Sequence, residues 1–116
     1  MTPDGTTIAV CHSGNSNTRG VYVYQYSGNW SLKGSPITKE DVTFSEGTLQ
    51  ALGASARISN DGNRVVIADS HFDSSVGGTD AGALFVFDYT GGNWVQNGDV
   101  FLPNKTDGVT SASYVG

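Results

Sequence analysis

Apolar and polar residues alternate along the chain in short runs that are typical of β-strands. The clearest runs are RVVIAD at 64–69 and ALFVFDY at 83–89, which carry β-branched or aromatic side chains on both faces. Before them, ASARIS at 54–59 leads into an Asp-Gly pair, which favours a tight turn because glycine tolerates a positive φ. A further turn sequence, TGGN, precedes a strand predicted to begin at Trp94. The pattern predicts four short antiparallel strands and an all-β fold class.

The same pattern occurs twice in the chain. TPDGTTIAV at 2–10 matches SNDGNRVVI at 59–67, and VYVYQYSGNW at 21–30 matches LFVFDYTGGNW at 84–94. The loops differ in length, since HSGNSNTR is shorter than SHFDSSVGGTDA. Segments that agree in strands and differ in loops are typical of one supersecondary unit copied along a chain.

The two repeat units are expected to be cut out of register. In unit one, 1–53, Met1 stands at the place of Ile58, so this unit lacks most of the opening strand of unit two, 54–116. The final TSASYVG looks like the approach to a third unit. We therefore interpret the chain as a segment of a longer repeat protein. The alternative is a complete small subunit that lends its C-terminal stretch to a neighbour.

The ordered set LGASARISNDG, RVVIADS, GALFVFDY and NWVQNGD resembles the FG-GAP repeat family. That family forms the β-propeller of integrin α chains and of many surface proteins, and the resemblance covers nearly all of both units. It implies propeller-type blades of four antiparallel strands, the first incomplete, in an extracellular or cell-surface protein. The chain departs from the family at Ala68-Asp69-Ser70, where Gly-Ala-Pro is expected after the second strand, and Leu52 and Val115 replace the phenylalanine of the name.

Strands that are apolar on both faces need a cover on both sides, which stacked sheets provide. Propellers typically close with about four to eight blades, so the partners expected here are other copies or further repeats of the same protein. Aromatic residues at every second position, among them Tyr24 and Phe87, are expected to pack between adjacent sheets, with stacking on sugars as the alternative. Trp30 and Trp94 are expected to fill the outer rim of each blade.

The composition narrows the function classes. The 116 residues include 16 Gly and only 15% charged residues, and the formal net charge is −5. Lys and Arg occur singly, so neither a nucleic acid nor an anionic membrane is an expected partner. No apolar stretch in the sequence is long enough to predict membrane insertion. The single cysteine, Cys11, excludes an internal disulfide and is expected to be a small buried residue.

Calcium is the one cofactor that the resemblance suggests, and the pattern requires none. Members of the FG-GAP family often bind Ca²⁺ in the loop between the second and third strands, through closely spaced carboxylates. Here that loop offers Asp69, Asp73 and Asp80, and Ca²⁺ takes about six to eight oxygen ligands. The tight alternation of the family motif is absent, and the loop of unit one has no carboxylate. The alternative is that these aspartates cap turns through their side-chain oxygens.

The sequence offers few other candidates for catalytic or modified residues. His12 and His71 each follow a second strand, and no Ser or Cys occupies a nucleophile motif, so a non-catalytic protein is predicted. Two glycosylation sequons occur, at Asn29 and Asn104, and they have meaning only in a secreted protein. Asn104 is the better acceptor because Pro and Gly neighbours place it in a loop, whereas Asn29 abuts Trp30 at a strand start.

Together these patterns predict an extracellular structural or adhesive repeat module, as in a surface scaffold, a filament or an adhesin. The module is expected to assemble with further β units of the same or other chains. The alternative is a calcium-supported propeller that recognises a protein or glycan ligand through its loops, and an enzyme is the remotest of three hypotheses. Assembly without metal would favour the first, and a Ca²⁺-dependent thermal shift lost in Asp73→Ala would favour the second.

Overall fold

A computed structural model of the chain describes residues 1–12, 19–74, 78 and 81–102. These residues form two antiparallel β-sheets of four strands each. The strands of the first sheet are β1 (Thr7–His12), β2 (Gly20–Tyr26), β3 (Trp30–Leu32) and β4 (Ile37–Thr38). Those of the second sheet are β5 (Leu52–Ile58), β6 (Arg64–Asp69), β7 (Ala83–Thr90) and β8 (Asn93–Gln96). The prediction of an all-β chain is confirmed, and the strands of the second sheet lie within two residues of their predicted positions.

The strand order shows how the two sheets differ. The second sheet has the order β5-β6-β7-β8. In the first sheet β1 forms one edge and pairs with β2, whose other side is shared by β3 and β4. Among the described residues no strand lies on the other side of β1. The second sheet holds the counterpart of β4 as a single bridge between Leu84 and Phe101.

The turn before β1 and the turn before β6 are built in the same way. Asp4 Oδ1 accepts a hydrogen bond from the Thr6 amide, and Asp61 Oδ1 accepts one from the Asn63 amide, both at 3.0 Å. A hydroxyl two residues before each aspartate donates to the same oxygen, at 2.8 and 2.7 Å respectively. The glycine after each aspartate has a φ of 74°, a conformation that other residues adopt only at a cost. The sequence repeat is thus also a repeat of backbone geometry.

Alternation along the strands gives each sheet two faces, and equivalent residues of the two sheets lie on equivalent faces. The front face, as we name it, carries Ile8, Val10, Tyr22, Tyr24 and Trp30 in the first sheet, and Val65, Ile67, Phe85, Phe87 and Trp94 in the second. The back face carries Ala9, Val21, Val23 and Ile37 in the first sheet, and Val66, Leu84, Val86 and Phe101 in the second.

The core lies between the back face of the first sheet and the front face of the second. One buried cluster joins the two sets, and its strand residues are Val21, Val23, Ile37, Leu52, Val65, Ile67, Ala83, Phe85, Phe87 and Trp94. Each large apolar side chain removed from water contributes about 1.5–3 kcal/mol, so this shared cluster is the main cohesion between the sheets. The sheets stack but do not close into a ring, and the front face of the first and the back face of the second lie outside the core.

Cys11 does not follow its prediction. We expected a small buried residue, and the thiol is exposed. Cys11 lies near the end of β1, which is an edge strand of the first sheet. Its equivalent in the second copy is the buried Ala68, on a strand flanked by neighbours on both sides. The exposure of Cys11 therefore follows from its place on an edge strand.

Candidate functional site

Asp69, a predicted calcium ligand, is a fully buried carboxylate at the end of β6. Its Oδ2 accepts the backbone N–H of Gln50 at 2.8 Å, and its Oδ1 accepts those of Ala51 and His71, each at 2.9 Å. A buried carboxylate is tolerated when such donors surround it. Asp69 thus fastens the segment before β5 to the loop after β6, in the manner of the turn-capping alternative.

Asp73 lies in the same loop and takes part in a different contact. Its backbone exchanges two hydrogen bonds with Thr48, at 2.9 and 3.1 Å, and its Oδ2 accepts a bond from Gln50 Nε2 at 3.3 Å. The third predicted ligand, Asp80, lies outside the described residues. Within ranges 1–12, 19–74, 78 and 81–102, no group of three or more His, Cys, Asp or Glu side chains is placed to hold a metal ion.

Of the two sequons, Asn29 is exposed in the turn between β2 and β3. The other, Asn104, lies outside the described residues. The two histidines are both exposed, His12 at the end of β1 and His71 just after β6. His12 lies beside Tyr22, with ring centroids 5.2 Å apart.

Tyr24 and Phe87, expected to pack between sheets, and Trp30 and Trp94, expected to fill the outer rim of each blade, have different environments. Phe87 and Trp94 are buried in the core, and Tyr24 is half-buried on the front face of the first sheet. Trp30, the equivalent of Trp94 in the first sheet, is 48% exposed. The physical reason is that the front face of the second sheet has the first sheet against it, whereas none of the described residues forms a sheet over Trp30.

A contact that the sequence did not reveal joins the two sheets around Lys33. The Lys33 side chain is nearly buried, and Nζ donates to the carbonyl of Gly62 at 2.7 Å and to Asn63 Oδ1 at 2.9 Å. The ammonium group lies 4.7 Å from the centroid of the Tyr89 ring and 5.9 Å from that of Trp94. In return, Trp94 Nε1 donates to the Lys33 carbonyl at 2.7 Å. We call these five residues the Lys33 clasp.

The electrostatics of the Lys33 clasp balance burial against polar contacts. Burial lowers the pKa of Lys33, and the negative charge of Asp61 opposes that shift. The Lys33 ammonium group donates hydrogen bonds to two oxygens, and the faces of the two rings attract its positive charge. The only sequence signal of the clasp is the Lys-Gly pair after the third strand, and the second copy has Asn-Gly there, so the repeat pattern alone does not single out the lysine.

In the first sheet, Tyr26 and Trp30 are equivalent to the two aromatic residues of the clasp, and both are exposed. The ring centroids of Tyr26 and Trp30 are 5.3 Å apart at an interplanar angle of 58°, against 5.2 Å and 59° in the clasp. The turn that repeats Asp61 and its neighbours lies beside this pair, because the Tyr26 amide donates to the Thr6 carbonyl at 2.8 Å. We call the following set the open socket: Asp4, Gly5, Thr6, Tyr26 and Trp30.

The segment directly after β8 repeats the part of the clasp that contains Lys33. The Asn97 amide donates to the Val86 carbonyl at 2.7 Å, as the Lys33 amide donates to that of Val23, also at 2.7 Å. We call residues 97–99 the second turn. It is exposed throughout.

The turn at Lys33 is covered by the second sheet, whereas no described residue covers the second turn. Two pairs of equivalent positions show this difference. A Cβ on Gly34 would lie 2.9 Å from Trp94 Cδ1, whereas a Cβ on Gly98 would meet no described atom within 4 Å. Ile37 is 1% exposed, whereas Phe101, its equivalent on the back face of the second sheet, is 57% exposed. The described residues therefore present two unlike open surfaces, one on each sheet.

A shallow groove lies beside the turn between β5 and β6. It is polar, and two of its lining residues, Arg64 and Asp88, form an ion pair. Arg64 Nε and Nη2 donate to the two oxygens of Asp88 at 2.6 and 3.0 Å, and Asn97 Nδ2 donates to Asp88 Oδ2 at 2.8 Å. Hydrogen bonding from Arg64 lowers the pKa of Asp88 and raises that of Arg64 itself. Charges that neutralise one another in this way suit a solvated sheet surface rather than acid–base chemistry.

Comparison with known proteins finds no matching family model, no similar curated protein and no similar solved structure. No helix in the described ranges is both long enough and apolar enough to cross a membrane. The open faces and the Lys33 clasp are accordingly the features on which a functional assignment can be built.

Proposed function

We propose that this chain is a non-catalytic repeat module whose sheets stack with further β units of the same or other chains. The observation that carries the proposal is the open front face of the first sheet. That face repeats, position by position, the face that the second sheet buries in the core. In this proposal the two sheets are consecutive propeller-type blades, and the open faces are the places where neighbouring units attach.

The open front face joins several exposed apolar side chains into one surface, which favours association. Its exposed side chains adjoin one another through the strand register, with Tyr26 opposite Trp30 and the half-buried Tyr24 opposite Leu32. Val10 extends the exposed surface across β1. Soluble monomers rarely expose contiguous apolar patches, and burying each large apolar side chain contributes about 1.5–3 kcal/mol. Covering this face with another sheet is therefore favourable.

The resemblance to FG-GAP repeats supports the rest of the proposal. It motivates an extracellular location and a structural or adhesive role in a scaffold, filament or adhesin. The distribution of polar groups supports a non-catalytic role, since the buried carboxylate of Asp69 binds backbone amides and Asp88 is paired with Arg64. The calcium-supported alternative gains no support from Asp69, whose two oxygens already accept three N–H groups.

Sedimentation velocity over a wide range of protein concentrations, in EDTA, tests the proposal. We expect the chain to self-associate without metal, and Leu32→Asp to weaken the association, because it places a charge in the middle of the open front face. Thr90→Asp is the matched control, since it adds the same charge at an exposed position at the end of β7 in the second sheet. A chain that stays monomeric at every concentration, with or without Ca²⁺, would contradict the proposal.

A further inference from the structure

The geometry points to a specific contact between copies: the open socket of one chain receives the second turn of another. This inference rests on the proposed function and names the partner, which is a second copy of this chain. The socket consists of Asp4, Gly5, Thr6, Tyr26 and Trp30, and the turn spans residues 97–99. The contact joins unlike surfaces, so the copies add head to tail.

The Lys33 clasp is the template for this contact. In the clasp, Trp94 Nε1 donates to a backbone carbonyl, and Gly34 lies against the Trp94 ring. Neither contact depends on the lysine side chain. In the contact between copies, the carbonyl of Asn97 can accept from Trp30 Nε1 in the same way. Gly98 has a φ of 81°, close to the 74° of Gly34, and has free space where the ring would lie.

The aromatic pair of the open socket already has the bound geometry. Its centroid distance and interplanar angle differ from those of the clasp by 0.1 Å and 1°. A surface that is formed before binding loses little conformational entropy on association. The second turn is equally preformed, because the Asn97 amide is held by the Val86 carbonyl as in the clasp.

The second turn lacks one part of the template, the ammonium group. Asn97 stands where the clasp has Lys33, so the socket is offered a neutral amide. The socket itself retains the features that favour a cation, since it has two rings and the carboxylate of Asp4. Hydrogen bonds from Thr6 lower the pKa of Asp4, so this carboxylate is ionised near neutral pH. The wild-type contact is therefore weaker than one in which a lysine is supplied.

The position of Asp99 does not oppose the contact. Its Oδ1 accepts the backbone N–H groups of Ser45 and Val100, at 3.2 and 2.8 Å. The carboxylate is thus held against its own chain. Asn97 does give up its bond to Asp88 if its side chain turns towards the socket, but exposed contacts of this kind contribute little.

Unlike surfaces on one chain have a consequence for the form of the assembly. A head-to-tail contact leaves a free socket at one end and a free second turn at the other, so it generates a ring or an open chain rather than a closed pair. A contact of two front faces with each other would give a dimer that stops at two copies. The two arrangements are distinguished by substitutions at residue 97, which only the first arrangement places in the contact.

Substitution of Asn97 is the central experiment, measured by sedimentation velocity in EDTA. We expect Asn97→Lys to tighten self-association by about tenfold, through an added cation–π contact and attraction to Asp4. Asn97→Glu should weaken it, because a second carboxylate would face Asp4. Trp30→Ala should abolish the gain from Asn97→Lys, and Trp30→Phe, which retains a ring but loses the N–H donor, should remove part of it. Circular dichroism and thermal unfolding establish that each variant remains folded.

Mixing two blocked variants gives the most direct readout. The double variant Trp30→Ala/Asn97→Lys has a good turn and no socket, whereas Asn97→Glu has an intact socket and a poor turn. Each should be monomeric alone, and the equimolar mixture should form one-to-one dimers. Because only Asn97→Glu retains Trp30, its burial should shift the tryptophan emission of the mixture to shorter wavelength.

The results separate this inference from the proposed function. If the wild-type chain self-associates but residue 97 has no effect and the mixture forms no dimer, the contact proposed here is wrong and the stacking module stands. If the wild-type chain and Asn97→Lys both remain monomeric, both proposals are wrong. Dimers that form in the mixture and not in either variant alone support both.

Discussion

Gly34 shows how much one position contributes to the packing of the two sheets. It follows Lys33 in the clasp and has a φ of 74°, in the region that favours glycine. A Cβ at this position would lie 2.9 Å from Trp94 Cδ1 and 3.3 Å from Tyr89 Cε1. The glycine is thus required twice, by its backbone conformation and by the closeness of the two rings.

We expect Gly34→Ala to destabilise the fold more than Gly98→Ala, the matched control. Both substitutions incur the cost of a side chain at positive φ, about 1–2 kcal/mol, because the two φ values are 74° and 81°. Only Gly34→Ala adds overlap with Trp94, which costs about 1–3 kcal/mol more. Urea unfolding at low protein concentration measures the difference, and equal losses in the two variants would contradict the assignment.

Asp69, a predicted calcium ligand, has a carboxylate that binds backbone N–H groups of the chain itself. Its oxygens accept three backbone N–H groups, so the charge is an acceptor for the chain itself. We expect Asp69→Asn to lower the free energy of unfolding by about 2–4 kcal/mol, because a neutral amide would present its own N–H groups to buried donors. Asp41→Asn is the control, since Asp41 accepts the Thr38 amide at 2.8 Å in an exposed turn.

Calcium distinguishes this role of Asp69 from the metal-ligand hypothesis. Thermal unfolding of the wild-type chain and Asp69→Asn should be compared in EDTA and in excess CaCl₂. We expect the same loss of stability in both solutions, because the carboxylate is engaged without metal. A loss that occurs only with Ca²⁺ present would instead support the metal site.

At the scale of the element, the repeated Asp-Gly turn is the best-preserved feature of the two copies. The aspartate in each turn accepts a backbone amide and a hydroxyl, and the glycine allows the chain to reverse. Hydrogen bonds from Thr6 lower the pKa of Asp4, and those from Ser59 and Asn63 lower the pKa of Asp61. Each turn is therefore linked to the protonation of one carboxylate.

These pKa shifts predict how stability depends on pH. The pKa of Asp4 and Asp61 is lower in the folded chain than the ordinary value of 3.8, so the folded state binds fewer protons. Their contribution is present above pH 3.8 and is lost as the pH falls through the lowered values. Urea unfolding from pH 6 downwards should give a shallower acid decline in Asp4→Asn/Asp61→Asn than in the wild-type chain. The exposed Glu40→Gln is the control, and an unchanged decline in the double variant would contradict the linkage.

At the scale of the whole molecule, the two sheets share one core instead of having one each. The buried cluster takes residues from the back face of the first sheet and the front face of the second. Neither sheet buries both of its faces, so each depends on the other for its cover. The two sheets are therefore expected to unfold as one cooperative unit.

A pair of valines tests this shared core. Val65 is fully buried on the front face of the second sheet, and Val10 is exposed on the front face of the first. We expect Val65→Ala to cost about 2 kcal/mol, from lost burial and the cavity left behind, and Val10→Ala to cost less than about 0.5 kcal/mol. Hydrogen exchange should show that Val65→Ala lowers the protection of β2 and β7 together. Loss confined to the second sheet would mean that the sheets unfold separately.

The local features of this chain could be predicted from its sequence. Alternation of apolar residues located β6 and β7, and the Asp-Gly pairs located the turns before β1 and β6. These features depend on residues close together in the chain, through backbone conformation and side-chain alternation.

Only the tertiary structure decided which of these residues meet. Trp30 and Trp94 occupy equivalent places in the sequence, yet one is exposed and the other buried, because within the described part of the chain a sheet covers only the second. Lys33 reaches Gly62 and Tyr89 across a long separation in sequence, and Asp69 meets the amides of Gln50 and Ala51 only once the sheet is folded. Strand pattern and turn chemistry are local, whereas burial and polar pairing arise from contacts between distant segments, which the order of residues does not specify.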